Sequence, residues 1–144
     1  ALDASVVIMP FADVYTALQN GTIDGQENPL ANIYTSSIQD VQKYLSLTGH
    51  MYDAAPLVCN ANWFNSLPTE YQTILMEEAA NAREVDLEEN DEAKYLELLK
   101  NSDIVINEVD TAAFQDCMDE VWQKYINAYE HGQYWVDLAT SFNK

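Results

Sequence analysis

Apolar residues recur along the chain at two spacings, one helical and one alternating. Behind Pro10 and Phe11, Val14, Ala17 and Leu18 follow a helical interval, which predicts a short amphipathic helix whose apolar stripe must lie on a neighbour. Gly21 and Gly25 end it and turn the chain. Asn28 is a favoured N-cap and Pro29 is pre-shaped for a first helical position, so a second helix is expected from Pro29. Two helix ends and the polar tetrapeptide Gln26-Glu27-Asn28-Pro29 therefore meet in one place.

Around this centre the pattern predicts further elements. Ser5 to Met9 is largely β-branched and apolar, a buried strand that Pro10 stops. Ile38 to Lys43 reads as a short helical segment. Tyr44 to Tyr52 alternates as a strand does, and Ala54 to Asn60 reads as another strand. A short helix is expected around Trp63 and Phe64. Thr69 is an acceptable cap for a helix running to about Lys100, bent at Glu88 to Glu92 where heptad spacing fails, and packed on a globular body. Asp103 to Asn107 reads as a strand. Asp110 or Thr111 caps a helix through Phe114, Met118, Val121, Trp122, Tyr125 and Ile126, which His131-Gly132 breaks before a last helix over Tyr134 to Phe142.

The chain has 144 residues, 48% of them apolar, enough to fill the core of one ordinary domain. Its 24 acids against 6 bases give a net charge of -18, which argues against nucleic acid and anionic membrane surfaces as partners. An anionic ligand would need a locally built pocket, since exposed charges are screened over roughly 8 Å at physiological salt. No apolar run approaches membrane-spanning length. Cys59 and Cys117 lie far apart, without metal or redox spacing, and read as two buried thiols rather than a disulfide.

Catalytic constellations are poor. His50 and His131 have no nucleophile motif or second metal ligand at short spacing, and His50 reads as a structural residue satisfied by its neighbours. Acid pairs such as Glu77-Glu78 arise by chance in so acidic a chain. The acidic stretch Glu70 to Glu97 contains no glycine and so cannot form a helix-loop-helix calcium loop; it reads as the solvated face of the long helix. Neither a cofactor nor a metal is expected.

Asn28 is the leading ligand-binding candidate. Its oxygen can cap the following helix while its nitrogen donates to a ligand carboxylate, beside the free N–H groups of a helix N-terminus. Phe11 reads equally as core packing or as a cleft wall. Gln26 is a further candidate and, with Glu27, has a second reading as a residue that holds the turn. Asn32 lies one helical turn beyond Asn28, and Asp24-Gly25 reads as turn chemistry.

The run MPF-x-x-VYTALQ-x-G-x-IDGQENPLANIY, followed by VQKYLSLTGHMYDAAPLV, resembles the C-terminal half of the solute-binding subunit of TRAP transporters, the DctP type, from about Val6 to about Phe114. The resemblance implies an α/β fold: residues 1–144 as the helix-rich half of a two-lobed periplasmic-binding-protein-like fold, contributing segments to both lobes, with a long helix and a hinge strand at Tyr44 to Tyr52. It implies extracytoplasmic capture, in the periplasm or anchored at the cell surface, of a C4-dicarboxylate or sugar acid for delivery to TRAP membrane permease subunits. It places Asn28 on the ligand carboxylate and Phe11 along the cleft. It also implies an arginine fork on that carboxylate, before the MPF element and so before residue 1. The single arginine, Arg83, does not match the fork and has Asp86 as the one acid placed to pair with it along the helix. By itself this half is expected to bind solute weakly, and to need either the missing N-terminal half or a second copy of itself. A ligand-sensing or protein-interaction module that self-associates through the half-fold is the alternative, and an enzyme is the third class.

Overall fold

The computed structural model describes residues 3–51 and 55–142. The amphipathic run forms α1 (Phe11–Gln19), with Val14 and Leu18 buried and Asp13 in the first turn, where an acid meets the positive end of the helix. Gly21 leaves the helix at φ +67°, a conformation glycine adopts without a Cβ clash. The second helix, α2 (Leu30–Thr35), starts one residue later than its proline suggests, and Leu30, Ala31 and Ile33 are buried. A single 3-10 turn, Ile38–Asp40, follows, and then β1 (Tyr44–Leu47).

Beyond β1 come α3 (Ala61–Ser66), α4 (Thr69–Glu89) and α5 (Glu92–Lys100). Asn60 caps α3 by accepting from the Trp63 N–H at 3.0 Å. The long helix expected from Thr69 to Lys100 is divided, because Asn90 turns its amide back onto Asp86 and Asp91 starts a new helix by accepting from the Ala93 N–H. Pro68, not Thr69, occupies the cap position of α4. The second strand, β2 (Val105–Glu108), pairs with β1 in a two-stranded parallel sheet, and the Val105 N–H donates to the Lys43 carbonyl at 2.9 Å. The fold is therefore α/β and rich in helix.

Asp110 caps α6 (Thr111–Asp116) by accepting from both the Ala112 and Ala113 N–H groups. Replacing it with alanine is expected to cost about 1 kcal/mol of stability, measured by urea denaturation; an unchanged midpoint would show that α6 forms without its cap. The single helix expected from here tightens at Cys117 and Met118, whose N–H groups reach back three residues to Phe114 and Gln115. It resumes as α7 (Asp119–Ala128), and after His131 at φ +63° the chain closes with α8 (Gly132–Thr140).

The chain divides into two units, one of Ala1–Ile8, Ser46–His50 and Glu108–Lys144, the other of Met9–Leu45 and Met51–Asn107. All the buried apolar side chains among the described residues belong to the second: those of α1 and α2, Ile38, Tyr95, Leu99 and Ile104. Here α2 packs on α5 and on the 3-10 turn, with the Tyr34 and Tyr95 rings 5.9 Å apart. In the first unit α7 and α8 form a hairpin pinned at Gly132. A Cβ built there would lie 2.8 Å from the Ile126 Cα and 3.0 Å from the Ile126 and Tyr125 carbonyl oxygens, all backbone atoms that cannot swing aside. Gly132→Ala should therefore lose about 1–3 kcal/mol. A calorimetric melting scan would read this as a lower Tm, and an unmoved Tm would mean the hairpin can open at no cost.

Several expectations fail, and they share a cause. Ser5 to Met9 is not a strand: nothing among the described residues pairs with it, and Val6 and Ile8 are 84% and 96% exposed. Of Ala54 to Asn60, Ala54 lies outside the described residues and the remainder makes no ladder, with Leu57 and Val58 exposed. A strand needs a neighbour for its N–H and C=O groups, so an apolar run alone cannot make one. The Tyr44 strand stops at Leu47, and Gly49 at φ +54° departs from extended geometry; Tyr52 lies outside the described residues. No side chain of α4 is buried, although Tyr71, Ile74, Leu75, Ala82 and Val85 share one face. Both cysteines are exposed free thiols, not buried ones. Arg83 pairs with the adjacent Glu84, while Asp86 instead receives the Asn90 amide.

Candidate functional site

The polar tetrapeptide lies in the second unit, between the turn after α1 and the start of α2. Gln26 and Asn28 are half-buried and Glu27 is exposed. Asn28 does not cap α2. Pro29 holds the cap position with no side-chain hydrogen bond, so the Asn28 oxygen is not used by the helix. Instead the Asn28 Nδ2 donates to Gln26 Oε1 at 2.6 Å. The correction has a local reason: Pro29 itself takes the extended geometry that precedes a helix, φ -55° and ψ 150°, moving the boundary one residue past the reach of the Asn28 side chain. With six residues, α2 also offers a slight dipole, so the donor strength here comes from the side-chain amides.

Phe11 opens α1 and is 47% exposed, so it is not the core residue that one of its two readings requires. Asn32 sits within α2, half-buried, and its backbone carbonyl receives the Ser36 N–H. The four candidates therefore share a unit, but only Gln26 and Asn28 are joined by a printed bond length short enough to fix both side chains. That link, between residues two apart, was missed in reading the sequence because an Asn before a proline signals a cap more strongly than a turn.

Between Met9 and Tyr34 there are three acids, Asp13, Asp24 and Glu27, and no base. The bases elsewhere in this unit are occupied. Arg83 holds Glu84, Lys100 holds Glu97 at 2.7 Å, Lys94 lies 3.9 Å from Glu89, and Lys43 lies over the Tyr44 ring. The arrangement can supply neutral amide donors and acceptors to a ligand but no cation. Two surface hollows, of about 340 and 390 Å³, lie elsewhere: one on α3 and α4 by Phe64 and Met76, the other by Gln39, Asp40 and Asp103. Neither contains a candidate residue. His50, as expected of a structural residue, has a neighbour's hydroxyl, Thr48 Oγ1, 2.7 Å from its Nδ1. Among the described residues no group of three His, Cys, Asp or Glu could hold a metal ion, and no helix is long and apolar enough to cross a membrane.

Comparison with known proteins decides the lineage. The model of the bacterial extracellular solute-binding protein family 7, DctP, matches residues 1–128. The chain belongs to this family. It is 36% identical over 118 residues to the 2,3-diketo-L-gulonate-binding periplasmic protein YiaO of Escherichia coli K12, covering 80% of this chain and 36% of that protein. It is 34% identical over 97 residues to the C4-dicarboxylate-binding periplasmic protein DctP of Rhodobacter capsulatus, covering 65% of this chain and 29% of that one. Among solved structures it superposes on the TRAP periplasmic solute-binding protein of Sulfitobacter sp. NAS-14.1 with bound β-D-galacturonate, at a TM-score of 0.73 and 30% identity, over 92% of this chain and 45% of the other. The chain thus spans about a third of the length of these curated relatives and under half of the solved one. The DctP family consists of solute-binding transport proteins, not enzymes, and its characterised relatives are periplasmic. The resemblance carried by DGQENP is borne out.

Proposed function

We propose that the chain is the C-terminal half of a TRAP-type solute-binding protein that captures a carboxylate-bearing organic solute outside the cytoplasm and delivers it to membrane permease subunits. The observation that carries this is the half-buried Asn28 amide, held by Gln26 within a motif of the DctP family. The two relatives named for a sugar acid and a dicarboxylate, and the solved one with galacturonate, support a sugar acid or C4-dicarboxylate as solute. Asn28 donates to the carboxylate, Phe11 walls the cleft, and Asn32 lies one turn behind. Charge neutralisation comes from outside these residues, because the unit has no base to spare.

The two units are portions of two lobes, which close when ligand contacts are better made in the closed state than in the open one. The uncovered apolar runs at Val6 to Ile8 and at Leu57 and Val58, and the bare face of α4, support a longer parent whose other half covers them. Titration calorimetry of the complete protein with D-galacturonate, succinate and malate tests this: saturable binding of at least one acid is expected, and equal affinity for the methyl ester of that acid would sink the carboxylate reading.

The same exposed runs favour a second reading, in which two copies of this chain associate through them. Size exclusion over a range of concentrations separates the two, since a monomer at every concentration leaves no room for self-association.

A further inference from the structure

The amide of Asn28 is committed on one side only. One of its two N–H groups is donated to Gln26 Oε1 at 2.6 Å, which fixes the plane of the amide. The second N–H and the oxygen Oδ1 remain. Oδ1 does not cap α2, and among the described residues nothing donates to it. A donor and an acceptor are therefore presented side by side on one rigid, half-buried group.

An ionised carboxylate can only accept. It satisfies the free N–H and leaves Oδ1 without a partner, which becomes costly when the lobes close and water is excluded. Resting on the reading that Asn28 faces the solute, we propose that the solute is a 2-hydroxy acid. Its carboxylate accepts from Asn28 Nδ2, and the hydroxyl on the neighbouring carbon donates to Asn28 Oδ1. Gln26 is the positioning residue: with its acceptor in place the amide cannot turn over to offer two donors. A site discriminates strongly for a hydroxyl when its own polar atom is left unpaired by the analogue lacking one.

The test uses calorimetry of the complete protein with two matched pairs, malate against succinate and D-gluconate against 2-deoxy-D-gluconate, with L-aspartate as a further probe. At least one hydroxy acid should bind about tenfold or more tightly than its partner, the loss expected when an acceptor is buried without its donor. Gln26→Met removes the acceptor that fixes the amide and should shrink that ratio toward one. Gln26→Glu keeps the acceptor and should preserve the ratio while lowering both affinities, a rescue that a merely structural role would not give. Deoxy acids binding as tightly as hydroxy acids, with Asn28→Ala still weakening both, overturn the hydroxyl assignment and leave carboxylate capture standing. Aspartate binding more tightly than malate overturns it in favour of an ammonium donor. No saturable binding in either pair also counts against it, and if galacturonate fails as well, carboxylate capture falls with it.

Discussion

Asn28→Ala in the complete protein is expected to weaken binding of its carboxylate solute by roughly ten- to a hundredfold. A hydrogen bond to a charged group contributes about 1.5–3 kcal/mol, and the half-buried position of Asn28 limits compensation by water. The substitution should leave folding nearly untouched. Had Asn28 capped α2, alanine would also have cost about 1 kcal/mol of stability; since Pro29 holds that position with no side-chain bond, it does not. Calorimetric affinity and the Tm of the apo protein are the two measurements. An affinity equal to that of the unaltered protein removes Asn28 from the site, and a clear fall in Tm would reinstate the capping role.

Leu99→Ala should produce the largest loss of stability. Leu99 lies on α5, is 0% exposed, and belongs to the small core on which α2 rests. Truncating a buried leucine loses the transfer free energy of its removed atoms and leaves a cavity, together about 2–5 kcal/mol. With so few buried side chains in this unit, little surrounding mass can collapse into the void. Urea denaturation of the complete protein reads the loss directly, and a change under about 1 kcal/mol would mean that the site relaxes far more than close packing allows. Because α2 follows Asn28 directly and packs on α5, solute affinity should fall in the same variant even though Leu99 touches no candidate residue in sequence.

Helix content was largely readable from residues alone. The stripe of Val14 and Leu18, the cap at Asp110, and the break near Asn90 and Asp91 all depend on atoms within about one helical turn, so local chemistry suffices. The placement of Asn28 was not readable to the last atom. Cap and turn compete there for the same side chain, and a one-residue shift of the helix start transferred its amide from α2 to Gln26. The strand expected over Ser5 to Met9 and the packing of α4 failed for a different reason: an apolar run states that something must cover it, but not what.

The residues by themselves determined the family, through DGQENP in its helical setting, along with the acidic charge and the absence of a nucleophile motif. Only the tertiary structure decided that Asn28 is tied to Gln26 with its oxygen left open, that the core sits in one unit, and that both thiols face outward. Helical periodicity and caps are fixed by neighbours along the chain, whereas burial, strand pairing and the direction of an amide depend on groups brought close in space.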